Sequence, residues 1–140
     1  MVGRVHNLPN RTDDDINLPY KLPGLLQKAG VLFCLENSGD MEAVQERNLA
    51  FNAGTAVAYG LTKEEAISSI TLSTAKILGI DNRVGSLEVG KDATLFISTG
   101  DALDMKSNNV LWAFIRGKNL DLSNNQKALY EKYMKKYGMK

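Results

Sequence analysis

Apolar positions recur at helical spacing as far as Gly79 and at every second position beyond it, so the chain divides into a helix-rich part and a strand-rich part. The segment "KLPGLLQKAG" places Leu22, Leu25, Leu26 and Ala29 on one face and stops at Gly30, which predicts a short helix. "VLFCL" follows as five consecutive apolar residues, too short for a helix and suited to a strand buried on both faces. Helix, glycine turn and buried strand together predict an αβ unit of a parallel sheet, with "ENSGD" at the strand's C-terminal end, where such sheets keep their chemistry.

A further helix follows, capped by Asp40. It carries Val44, Asn48, Phe51 and Ala58 on one stripe and the small residues Ala50, Ala53, Gly54 and Val57 on another, a stripe that admits a close neighbour. Thr62 and Glu65 have capping-box spacing, with Leu61 and Ala66 as the staple. Ile67, Ile70, Thr74, Ile77 and Leu78 extend that helix's buried face to Gly79.

Beyond Gly79, "VGSLEVGKDATLFIST" predicts a hairpin. Val84 to Val89 form one arm, Gly90, Lys91 and Asp92 an exposed turn, and Ala93 to Ile97 a second arm that buries Leu95 and Ile97. "VLWAFIRGK" predicts another strand, with Leu111, Ala113 and Ile115 opposite Trp112, Phe114 and Arg116. The tail "NNQKALYEKYMKKYG" puts Leu129, Tyr133 and Tyr137 on one helical face, expected to pack on the chain's own body. Residues 1 to 20 read as a possible short strand at Val2 to His6 followed by a polar loop.

With 44% hydrophobic and 24% charged residues among 140, the chain is a globular protein with enough length for a core. A net charge of +1 argues against nucleic acid or an anionic membrane as partner. No apolar run reaches the roughly 18 residues of a membrane span. The single cysteine, Cys34, lies in an apolar run and reads as a buried structural thiol, which leaves neither a disulfide framework nor a multi-cysteine zinc site.

The order "GLTKEEAISSITLSTAKILGIDNRVGSLEVGKDATLFIST" and then "VLWAFIRGK" closely resembles the C-terminal part of amidohydrolase-superfamily enzymes, most of all the imidazolonepropionase-related branch. The resemblance covers residues 30 to 120 and marks structure more than reaction. One departure is Thr74, where the family often has proline. The implied fold is α/β: the terminal βα units of a TIM-like barrel in 1–79, returning strands of a small β-sandwich in 80–122, and a C-terminal helix in 123–140. In such proteins the hairpin pairs with strands from an N-terminal portion that this sequence lacks.

The implied chemistry is metal-dependent hydrolysis of a C–N bond in a cyclic amide, with zinc or iron activating water. One histidine in the whole sequence cannot furnish the family's ligand set, so the isolated chain is expected to hold no metal and to be inactive. If "VLFCLENSGD" is the eighth strand, the family's aspartate falls on Asn37, whose neutral amide can still bind metal weakly through its oxygen but cannot serve as the general base that deprotonates the water. Glu36 or Asp40 would substitute in a shifted loop; the plainer alternatives are a strand-end carboxylate and a helix cap. His6 falls at the end of the seventh strand, as a substrate contact or a lone loop histidine. Asp13, Asp14 and Asp15 read as a solvated loop compensated by Arg11, and Ser38 lacks a visible base.

The expected partners are a second copy of the chain or the missing N-terminal part, because an open apolar sheet edge invites pairing. A non-catalytic interaction module and a pseudoenzyme remnant remain as alternatives. Location is left open, with the cytoplasm favoured.

Overall fold

The computed structural model describes residues 1–3, 8–9, 11–37 and 43–139. His6, Ser38 and Asp40 lie outside them. Five α-helices run in chain order as α1 (Leu18–Lys28), α2 (Leu49–Ala58), α3 (Lys63–Ile70), α4 (Leu72–Leu78) and α5 (Asn125–Lys136). Three strands, β1 (Leu95–Ser98), β2 (Val110–Ile115) and β3 (Lys118–Asn119), form one antiparallel sheet in sequence order. The fold is therefore mixed α/β with a small antiparallel sheet.

The core gathers Phe33 and Leu35 with Ala53 and Ala56 of α2, Leu61, Ala66 of α3, and Leu103 from the β1–β2 connection. Val2, Leu26 and Ile70 pack against its margin. "VLFCL" is a strand only at its end: Val31 and Leu32 are exposed, and a single parallel bridge joins Leu35 to Val2. That bridge is parallel, the sense expected of the αβ unit ending at residue 35.

The helix expected from "KLPGLLQKAG" forms, but of its apolar face only Leu26 packs against the core. α1 starts at Leu18, with proline in its first turn, and stops at Ala29 before Gly30, whose φ is +70°. Pro23 and Gly24 are the buried residues, while Leu22 and Leu25 face outward. Gly24 lies there because a Cβ would come within 3.1 Å of the Tyr59 carbonyl oxygen. Tyr20 stacks on Tyr59 at 5.2 Å and ties α1 to the end of α2.

A 3-10 turn over Ala43–Asn48 leads into α2, so Asn48 rather than Asp40 holds the cap position of that helix. The capping box at Thr62 and Glu65 is present in both directions, with Leu61 and Ala66 buried beneath it. The expected continuous helix from Thr62 to Gly79 is instead broken at Thr71 (φ −130°, ψ −88°). At the break the Ser69 carbonyl accepts from the Leu35 N–H at 3.2 Å and the Thr74 hydroxyl at 3.0 Å. A strand end has taken an acceptor that the helical ladder would otherwise use. Gly79 closes α4 in the left-handed conformation, as its sequence position suggested.

The predicted hairpin is corrected. Residues 84–89 form no strand, Leu87 and Val89 point outward, and β1 pairs with β2 through Phe96↔Ala113 and Ile97↔Trp112. Gly85, at φ +96°, lies against α4, where a Cβ would meet Ala75 Cβ at 2.7 Å; packing on a helix displaces strand pairing. Lys91 is not at an exposed corner: its side chain is 12% exposed and its ammonium group bonds Ser86 and Glu88. Nor does β1 bury Ile97, which is 46% exposed, because nothing among the described residues covers the sheet.

α5 is likewise uncovered. Asn124 caps it by accepting from the Lys127 N–H at 2.9 Å, but the helix contains no buried residue, and Leu129, Tyr133 and Tyr137 are exposed. The expectation that they pack on the chain's body fails, and Tyr133 stacks on Tyr137 instead. Among the described residues no helix is long and apolar enough to cross a membrane.

Candidate functional site

The end of the buried segment 33–37 is where sheet geometry concentrates chemistry. Val2 positions it on one side, its N–H donating to the Cys34 carbonyl at 2.8 Å and its carbonyl accepting from the Glu36 N–H at 3.0 Å. The Leu35 N–H bonds Ser69 on the other. Cys34 is buried in the core, in keeping with a structural thiol. Glu36, half-buried at the strand end, has its Oε1 near Gly3.

Asn37 is buried, and both ends of its amide are hydrogen-bonded. Its Nδ2 donates to the Gln45 carbonyl at 3.1 Å, and its Oδ1 accepts from Asn52 Nδ2 at 3.2 Å. The 3-10 turn supplies Gln45, and α2 supplies Asn52. The sequence candidates Glu36 and Asn37 are therefore adjacent, while the positions of His6 and Asp40 fall outside the described residues. Among the described residues no cluster of three or more histidine, cysteine or acidic side chains is placed to hold a metal ion.

Two clefts adjoin the core. The larger, about 410 Å³, lies between α2 and the β1–β2 connection, with Phe51, Lys63, Asp101, Leu103 and Met105 on its walls. Two of its charged groups, Lys63 and Asp101, are committed to each other, and Asp104 is bonded to Ser107. A hydrogen bond from Lys63, reinforced by the Leu103 N–H, holds the Asp101 carboxyl below its ordinary range, and the same bond raises Lys63. The smaller cleft, about 270 Å³, is bordered by Gln27, Phe33, Glu65 and Ser69. Glu65 is lowered chiefly by the Thr62 N–H and hydroxyl, so its charge serves the helix cap. Asn52, Gln45 and the Lys63–Asp101 pair were not singled out from the sequence. Each meets its partner across 15, 8 or 38 residues, and only the fold supplies that proximity.

The model of the amidohydrolase family matches residues 21–120. The chain belongs to the amidohydrolase family. Among relatives of this amidohydrolase-family chain, the adenine deaminase of Desulforamulus reducens is 32% identical over 72 residues, or 51% of the chain and 12% of the deaminase. The imidazolonepropionase of Shewanella frigidimarina is 57% identical over 35 residues, or 25% of the chain and 8% of the enzyme. The solved structure of an amidohydrolase from Thermotoga maritima superposes with a TM-score of 0.65 at 32% identity, covering 79% of this chain and 29% of that one. The chain thus spans under a third of the length of each.

The metal that the family implies can be tested against the donors at the strand end. They do not fit. Asn37 offers no charge, its Oδ1 already accepts a hydrogen bond, and its Nδ2 is turned to a carbonyl. Glu36 is the adjacent carboxylate in the chain, and among the described residues no three histidine, cysteine or acidic side chains come together as a ligand set.

Proposed function

We propose that this chain supplies the last βα units of an amidohydrolase-type barrel and the returning strands of its small sheet domain. The protein it belongs to would hydrolyse C–N bonds in cyclic amides; the adenine deaminase and imidazolonepropionase among its relatives support C–N hydrolysis in general, and the cyclic amide rests on the imidazolonepropionase. Zinc or iron would enter with histidines carried by the rest of that protein, since this sequence has one histidine.

The observation that carries this reading is the uncovered sheet. Phe96, Ile97, Leu111 and Trp112 stand exposed on a three-stranded sheet that no helix or second sheet among the described residues covers. An apolar surface of this kind belongs to a buried layer whose cover lies elsewhere. The parallel Val2↔Leu35 bridge among the described residues supports it further, because parallel pairing belongs to sheets covered on both faces.

The test compares the chain alone with the chain co-expressed with a family barrel segment carrying the missing histidines. Each preparation is sized by light scattering and assayed on a panel of cyclic amides with zinc, manganese or iron. Alone, the chain self-associates and shows no turnover; complemented, it forms a defined complex that binds metal and turns over substrate. A monodisperse monomer that turns over substrate by itself overturns the proposal.

A second reading, a non-catalytic interaction module, is favoured by one feature. α5 presents Leu129, Tyr130, Tyr133 and Tyr137 outward on an otherwise lysine-rich helix. Binding of a partner protein by a well-behaved monomer, without turnover in either preparation, selects that reading.

A further inference from the structure

We infer that Asn37 has been withdrawn from metal coordination and made an amide-specific clamp, so that a protein assembled on this unit holds no metal through that position. The inference rests on reading the end of segment 33–37 as the metal-facing end of an amidohydrolase strand.

The hydrogen-bond chemistry determines which residue the position accepts. The Gln45 carbonyl can only accept, so the atom of residue 37 beside it must be a donor. The other atom is then the acceptor, and Asn52 meets it with its own Nδ2. A carboxylate at 37 would satisfy Asn52 but would set a second acceptor, negatively charged, against the Gln45 carbonyl in a buried place. The site is complementary to an amide and hostile to an aspartate.

The clamp also has a mechanical consequence. Asn37 and Gln45 bracket the segment 38–44, and Asn52 fastens the same amide to α2. The strand end is thus tied to the 3-10 turn and to α2 by neutral hydrogen bonds where a metal-dependent site would use a charged ligand.

Two measurements test this on the full chain, in whichever assembly it folds, alone or with the rest of the barrel. The first is exchange of side-chain amide protons by NMR: those of Asn37 and Asn52 exchange about tenfold or more slowly than those of exposed Asn125. The second is thermal unfolding with and without added zinc. Asn37→Asp lowers the midpoint by about 5 °C and zinc does not restore it, Asn52→Ala lowers it comparably, and the double variant is less than additive. Free exchange at Asn37, or an Asn37→Asp variant that zinc stabilises above the parent, overturns the clamp. Failure of the amidohydrolase reading would show differently, as absence of metal and turnover in the complemented protein with the amide protection intact.

Discussion

A Cβ placed on Gly54 would lie 2.2 Å from the carbonyl oxygen of Leu103. Helix α2 and the β1–β2 connection therefore touch backbone to backbone, and the stripe of Ala50, Ala53, Gly54 and Val57 exists to permit it. The obstacle is main chain rather than the end of a flexible side chain, so relief requires moving the connection and with it buried Leu103. Gly54→Ala is expected to destabilise by about 1–3 kcal/mol. Thermal denaturation beside Gly3→Ala, whose new Cβ would have its nearest atom at 3.9 Å, separates this clash from a general effect of added methyl groups.

The capping box offers a second check. The Thr62 hydroxyl accepts from the Glu65 N–H at 3.2 Å, and the Glu65 carboxylate accepts from the Thr62 N–H at 2.8 Å. Thr62→Ala leaves a helical N–H without its partner and is expected to cost about 1 kcal/mol in chemical denaturation. Glu65→Gln keeps an acceptor for the Thr62 N–H and is expected to cost less.

Asp101 and Lys63 make a prediction with a definite sign. The folded state lowers the Asp101 pKa from its ordinary 3.8, first through the Lys63 hydrogen bond and then through the Leu103 N–H. Its contribution is therefore present above pH 3.8 and disappears as pH falls through the lower folded value. Lys63 is raised above 10.5 by the same partner, so its contribution is present below that pH and disappears as pH rises through the raised value. The effect is modest because Lys63 is two-thirds exposed. Stability curves over pH 2–5 and 9–12 should be flatter for Asp101→Asn than for the parent.

α5 tests the opposite case, an element that nothing supports. Since no residue of the helix is buried, truncation after Leu122 should leave the thermal midpoint unchanged. A drop of several degrees would mean that the tyrosine face has found a surface in solution, in this chain or in a second copy.

Local chemistry was legible in the sequence, and distant pairing was not. The Thr62–Glu65 box, the Gly79 stop and the small-residue stripe each depend on neighbours within a turn or two, and all three stand in the structure. The apolar period of α1 was equally plain, yet it could not say which face finds cover. Leu22 and Leu25 point outward because Pro23 and Gly24 meet the end of α2. The arm at residues 84–89 alternates as a strand would, but Gly85 is claimed by α4. At the candidate site, Glu36 and Asn37 were found from position along a strand, whereas the amide partners Gln45 and Asn52 required the fold.

The helix break at Thr71 has a consequence for how the molecule comes apart. The Ser69 carbonyl just before the break holds Leu35, and the Thr71 carbonyl just after it faces Gly85 at 3.2 Å from where a Cβ would stand. From Gly85 the chain runs on to Asp92, whose N–H bonds the Arg83 carbonyl at 2.8 Å and whose carboxylate engages Arg83 and Arg116. One irregular residue thus links the buried strand end to the loop that launches the sheet. Leu35, α4 and the 83–92 loop are therefore expected to open together, which native-state hydrogen exchange would show as matched protection of their amides.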